Sequence, residues 1–171
     1  MATTAQVPVE VYLMSDYEPD AEYVDGHIEE RPMGQYDHAS WQQAIQHWFL
    51  NHSREWNVRV RPELRVQTTR FNFRVPDVVV FDRDNPIEQI LTIPPIAVFE
   101  VLSPEDRMSR MMVKLKEYEQ MGIRTIMVID PALQTISQFL KGDLAEIGEG
   151  VQELPGSRCT IDWARVRELI D

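Results

Sequence analysis

Cysteine is nearly absent: Cys159 is the only one in 171 residues. No intrachain disulfide can form, and a thiolate zinc site is excluded. Long apolar runs are missing too. None approaches the roughly 20 residues that span a bilayer, so no membrane partner is expected. Residues 1–10 lack the basic-then-apolar order of a secretory signal, and the cytoplasm is the expected compartment. Positive charge is scarce: 17 Lys and Arg face 28 Asp and Glu, for a net charge of −11. Such a surface repels nucleic acid at long range, so contact with it needs a local basic strip or a bound cation. No helix-turn-helix, zinc finger, internal repeat or low-complexity linker is present.

What remains is an ordinary globular composition, 43% hydrophobic and 26% charged. One domain over residues 1–171 is expected, with residues 1–10 as a flexible arm. Acids crowd Met14–Glu30, while Arg54, Arg59, Arg61, Arg65, Arg70 and Arg74 form a central basic band. Most of that band is expected to be solvated strand face. Asp25-Gly26 between Tyr23-Val24 and Ile28 predicts a hairpin over 22–32. Trp41, Ile45, Trp48 and Phe49 recur at helical spacing and predict a helix over 37–54, capped by Asp37. Val58–Gln67 alternates apolar and Arg residues, and Pro62 marks it as an edge or a bulge. Ser103-Pro104-Glu105-Asp106 predicts a helix start at Ser103, and Gly122 its end. A strand, that helix and a second strand at Thr125–Ile129 imply a parallel crossover. The expected fold is α/β (α+β): a central mixed sheet flanked by helices, with an N-terminal β-hairpin.

Two runs predict buried strands, Phe71–Phe81 and Ile96–Leu102, and each carries one carboxylate, Asp77 and Glu100. A buried strand has no packing use for an unpaired acid, which is costly to desolvate. Two acids on adjacent strands can share one divalent cation. Oxygen-only ligands suit Mg²⁺ or Mn²⁺, and such an ion supports phosphodiester hydrolysis. Lys114 and Lys116, on the crossover helix, are candidates for the accompanying ammonium. Lys114 shares a face with Tyr118, four residues on. The simpler alternative for Asp77 is a strand end paired with Arg74.

Pro76-Asp77, Glu100-Val101-Leu102-Ser103-Pro104, Lys114, Tyr118, Gly122-Ile123 and Val128-Ile129-Asp130-Pro131 together resemble the Uma-two endonuclease family of the PD-(D/E)XK nuclease superfamily. The resemblance runs from about Tyr23 to Pro131 and includes Asp25-Gly26, Glu30, Pro32 and His38. It implies a restriction-endonuclease-like core with a Mg²⁺-dependent nuclease site. Asp77 and Glu100 match the two motif acids. The superfamily's usual lysine position holds Leu102, and Lys114 matches a lysine supplied by the following helix. Glu30 matches an upstream assisting acid and His38 a family histidine. Arg110 departs from the family pattern, which often has an acid there.

The function expected from this reading is Mg²⁺-dependent endonucleolytic hydrolysis of DNA by a homodimer, with RNA or structured DNA as other substrates. The rival, from another class, is a catalytically idle dimeric binding protein that keeps the nuclease fold.

Overall fold

Alternation of β-branched and aromatic residues builds the centre of the molecule. The computed structural model describes residues 5–170. In chain order the elements are helix α1 (Val9–Leu13), strands β1 (Ala21–Val24) and β2 (His27–Glu30), helix α2 (Tyr36–His52), strands β3 (Val58–Pro62), β4 (Val66–Gln67), β5 (Phe73–Arg74), β6 (Val78–Asp82) and β7 (Ala97–Val101), helix α3 (Met108–Met121), strands β8 (Thr125–Asp130), β9 (Thr135–Leu140), β10 (Asp143–Glu146), β11 (Val151–Glu153) and β12 (Thr160–Asp162), and helix α4 (Trp163–Glu168). The main sheet has the order β10-β9-β8-β7-β6-β3. Only β7 and β8 run parallel, joined through α3 as the crossover expectation requires.

Period two sorts the strand residues onto two layers. Val78, Val80, Ala97, Phe99, Val101, Met127 and Ile129 pack with Trp41, Ile45 and Phe49 of α2 and Trp163 and Val166 of α4. The alternate set, Val79, Phe81, Val98, Ile126 and Val128, packs with Met111, Leu115 and Tyr118 of α3. The sheet is therefore a mixed one covered by helices on both faces. Residues of the same parity as Val79 and Val98 face α3, and that set includes Asp77 and Glu100.

A second sheet, β2-β1-β5-β4, stands beside the first. Asp25 and Gly26 both take positive φ, 51° and 86°, so the hairpin turn follows the strand twist. Tyr12, Tyr23 and Phe73 form its small core.

Several boundaries differ from the sequence expectation, each for a local reason. The Val58–Gln67 run divides at Glu63 (φ 51°), sending β3 to the edge of the main sheet and β4 to the small one. Phe71–Phe81 divides likewise into β5 and β6, so Asp77 sits in the passage between sheets and not inside a strand. Asp37 is not the cap of α2; Gln35 holds that position with no side-chain bond. Helix α3 starts at Met108, not Ser103, because Ser103–Asp106 closes a turn of its own, with Ser103 N donating to Asp106 Oδ2 at 2.7 Å. Residues 9–13 are helical, which takes in the last two residues of the expected arm, and Tyr12, fully buried, anchors them with its hydroxyl donating to the Ala21 carbonyl at 2.7 Å. Residues 1–4 of that arm lie outside the described residues. Strands β10 to β12 had no sequence expectation.

Candidate active site

Asp77 and Glu100 meet because of register. In the antiparallel β6–β7 pair Val78 lies opposite Phe99, so one step outward sets Asp77 opposite Glu100. Both residues are buried, each 3% exposed, and both line one cavity of about 300 Å³. Asp77 Oδ2 accepts the Val101 N–H at 2.7 Å. Its Oδ1 takes Arg31 Nη2 at 2.7 Å and lies 3.3 Å from His38 Nε2. Burial pushes the Asp77 carboxyl up. The His38 hydrogen bond and the charges of His38, Arg31 and Lys114 outweigh that and hold it below the usual aspartate range. The same contact raises His38 against the opposing effect of burial.

Glu100 is in the opposite state. Burial, with the nearby charges of Asp77 and Glu22, outweighs Lys114 and pushes its carboxyl up to about 7. Oε1 accepts Tyr118 Oη at 2.7 Å and lies 2.9 Å from Lys114 Nζ. No protein donor among the described residues reaches Oε2. Two carboxylates with pKa values driven apart are the arrangement acid–base sites use. Lys114, 9% exposed, also lies 2.7 Å from Glu22 Oε1. Burial works against the ammonium, but Glu100, Glu22 and Asp77 keep it protonated well above the ordinary lysine range.

Helix α3 supplies Lys114 and Tyr118 because residues four apart share its sheet-facing side, with Leu115 and Met111 packed alongside. Lys116 falls on the exposed side of the helix, away from the cavity. Glu30 is exposed at the cavity rim and makes no ion pair among the described residues. The hairpin acid that reaches Lys114 is Glu22, since the β1–β2 register pairs Glu22 with Glu29 and leaves Glu30 opposite Ala21. Arg110 lines the cavity with Arg107. Arg74, expected as a solvated residue or a partner of Asp77, is buried. It is held by Glu22 at 3.1 Å, by Glu29 at 3.6 Å and by Glu117.

Sequence reasoning missed Glu22 and Arg31. Glu22 carried the same signal as Glu100, an acid inside an apolar strand run (Ala21-Glu22-Tyr23-Val24), but the surrounding acids masked it. Arg31 carried none.

The donor set suits a hard cation, being all oxygen with one unpartnered carboxylate oxygen. Among the described residues no three His, Cys, Asp or Glu side chains converge as a complete shell. A Mg²⁺ ion here would fill its shell with water and phosphate oxygens, which it commonly does when held by one or two carboxylates.

The sequence model of the Uma2 family, described as "Putative restriction endonuclease", matches residues 9–165. The chain belongs to that family. As in the family expectation, the fold is restriction-endonuclease-like. It is similar to the crystal structure of "a putative nuclease belonging to DUF820" from Anabaena variabilis, with a TM-score of 0.81 and 21% identity over 97% of this chain and 99% of that one. The cryo-EM structure of a DrdV–DNA complex aligns at a TM-score of 0.43 and 14% identity, over 77% of this chain and 11% of that one. That likeness is too low to carry an argument. No curated protein matches. No helix in the described residues of this Uma2 member is long and apolar enough to cross a membrane.

Proposed function

We propose that this Uma2 member is a Mg²⁺- or Mn²⁺-dependent endonuclease that hydrolyses phosphodiester bonds of DNA. The observation that supports it most is the convergence of Asp77, Glu100 and Lys114 on one face of the sheet inside one cavity. Asp77 and Glu100 would hold the cation, which when bound would polarise a phosphoryl oxygen and acidify a water molecule. Asp77, held below the usual aspartate range, would be the ligand available throughout the neutral range. Glu100, its carboxyl raised to about 7, would join it once deprotonated. The Lys114 ammonium beside Glu100 is placed to orient the attacking water or to stabilise charge developing on the phosphate. Arg107 and Arg110, exposed at the cavity, offer donors to the flanking phosphates. Glu30, at the rim, has the solvent access to hold a water on an incoming cation. A pair of such sites related by a two-fold axis would cut both strands. Light scattering on the homodimer would then give twice the 20.0 kDa of the chain.

Plasmid nicking with Mg²⁺ or Mn²⁺ tests the reading. Wild type is expected to nick and Asp77→Ala to lose the activity. Equal cleavage by both rejects the assignment.

One observation favours the idle binding protein instead. Both Asp77 oxygens and Glu100 Oε1 are already satisfied by protein donors, so the acids are neutralised without a metal. Isothermal titration with Mn²⁺ separates the two: an enzyme takes up the ion in wild type and not in Asp77→Ala, whereas an idle scaffold takes up none.

A further inference from the structure

The geometry points to Glu22 as a positioning residue: it fixes the Lys114 ammonium against Glu100 from the opposite side, and so makes the small sheet part of the active site. This deepens the nuclease reading and rests on it. Lys114 Nζ sits between two carboxylates, 2.7 Å from Glu22 Oε1 and 2.9 Å from Glu100 Oε1. A lysine carries four rotatable carbons, and one acceptor would leave its ammonium free to swing about that contact. Two acceptors from different sheets define its place.

Glu22 is itself fixed. Its Oε1 accepts the Val75 N–H at 2.9 Å, and its Oε2 takes Arg74 Nη1 at 3.1 Å. Arg74 is clamped in turn by Glu117 of α3, which also accepts from Asn72. The chain runs from α3 through Glu117, Arg74 and Glu22 back to Lys114 on the same helix. Every member is buried. Val75 precedes the Pro76-Asp77 passage between the sheets, so the acid that aims the lysine also holds the backbone leading into Asp77.

The charge arrangement supports positioning over direct contact with a substrate. Both Glu22 oxygens are engaged by protein donors, and the residue is 5% exposed. It has no oxygen to spare, whereas Glu100 does.

The test reads the lysine directly and does not depend on cleavage. In ¹H–¹⁵N spectra of the full-length protein the Lys114 ammonium is expected as a slowly exchanging signal. Glu22→Gln, nearly isosteric and leaving Arg74 its Glu117 partner, is expected to broaden or shift that signal. Glu22→Asp, which keeps the charge but retracts it by one methylene, is expected to do the same and serves if the first variant does not fold. Glu117→Gln is the comparison: it is expected to lower the melting temperature and keep the Lys114 signal. In the nicking assay Glu22→Gln is expected to lose roughly 10²-fold in kcat with KM near wild type. An ammonium signal absent from wild type, or unchanged in both Glu22 variants, overturns the proposal, as does an unchanged kcat. A wild type without cleavage overturns the nuclease reading alone, because the ammonium signal still decides where Glu22 puts the lysine.

Discussion

At the scale of single residues, Glu100 is where folding and chemistry pull against each other. A buried carboxyl raised to about 7, against 4.5 in the unfolded chain, binds its proton more tightly when folded. Stability from this group is therefore present at low pH and lost as pH rises through about 7. His38 acts with the same sign, since its folded value also lies above the unfolded 6.5. Asp77 and Glu22 are lowered and lose their contribution only in acid. The metal-free protein is expected to melt higher at about pH 6 than at about pH 8, and Glu100→Gln to reduce that difference. A melting temperature falling from pH 8 to pH 6 contradicts the assignment. Lys114→Met is expected to cost roughly 10²–10³-fold in kcat, the loss typical of one well-placed charge-stabilising donor, read by nicking at saturating DNA. Glu100 was legible because an acid within Val-Phe-Glu-Val-Leu has no packing reason to be there, and Lys114 because it keeps helical step with Tyr118; Asp77 was reached through a strand that the structure divides ahead of it. Arg31 was not legible: nothing local distinguishes it from any surface arginine, and only the loop ahead of α2 carries it onto Asp77.

At the scale of elements, helix α3 brings the lysine to the sheet, and its two ends follow different rules. Gly122 stops it in the left-handed region, at φ 103°, where a Cβ costs about 1–2 kcal/mol. Gly122→Ala is expected to lower unfolding stability by that amount in a denaturant titration; a neutral substitution would count against the cap. The helix start was misplaced because Ser-Pro-Glu-Asp satisfies a capping pattern and a turn equally well, and here the turn wins. The divided strands share one cause. Period two continues across Glu63, and the apolar run resumes directly after Pro76-Asp77, so patterning alone does not show that the chain changes sheet. Helix α1 was missed because five residues carry too short a period to register. Its Tyr12, packed on Tyr23 and Phe73, ties it down nonetheless. Phe99, at the centre of the layer under α2 and α4, is expected to cost about 3–5 kcal/mol when cut to alanine.

At the scale of the whole molecule, a net charge of −11 sets the approach of an anionic polymer against the surface field. Among the described residues, only Arg107 and Arg110 are exposed arginines at the cavity. If they take the flanking phosphates, the logarithm of DNA affinity is expected to fall with the logarithm of salt at a slope of about −2, since each neutralised phosphate contributes about −0.9. Replacing both with alanine is expected to flatten that slope; an unchanged slope places DNA elsewhere. The mixed sheet, its parallel step and its two helical layers could be read from patterning and from the family resemblance. The joining of two sheets through a buried chain of charges could not, because those partners are remote in sequence, Glu22 in β1 from Lys114 in α3. The central claim is that Asp77 and Glu100 share one hard cation. A crystal soaked in Mn²⁺ and measured at its absorption edge tests it most directly. The expected result is one anomalous peak at about 2.1 Å from an oxygen of each acid, with Arg31 displaced from Asp77 Oδ1. A map with no peak between them, and Arg31 still seated on Asp77, would contradict it.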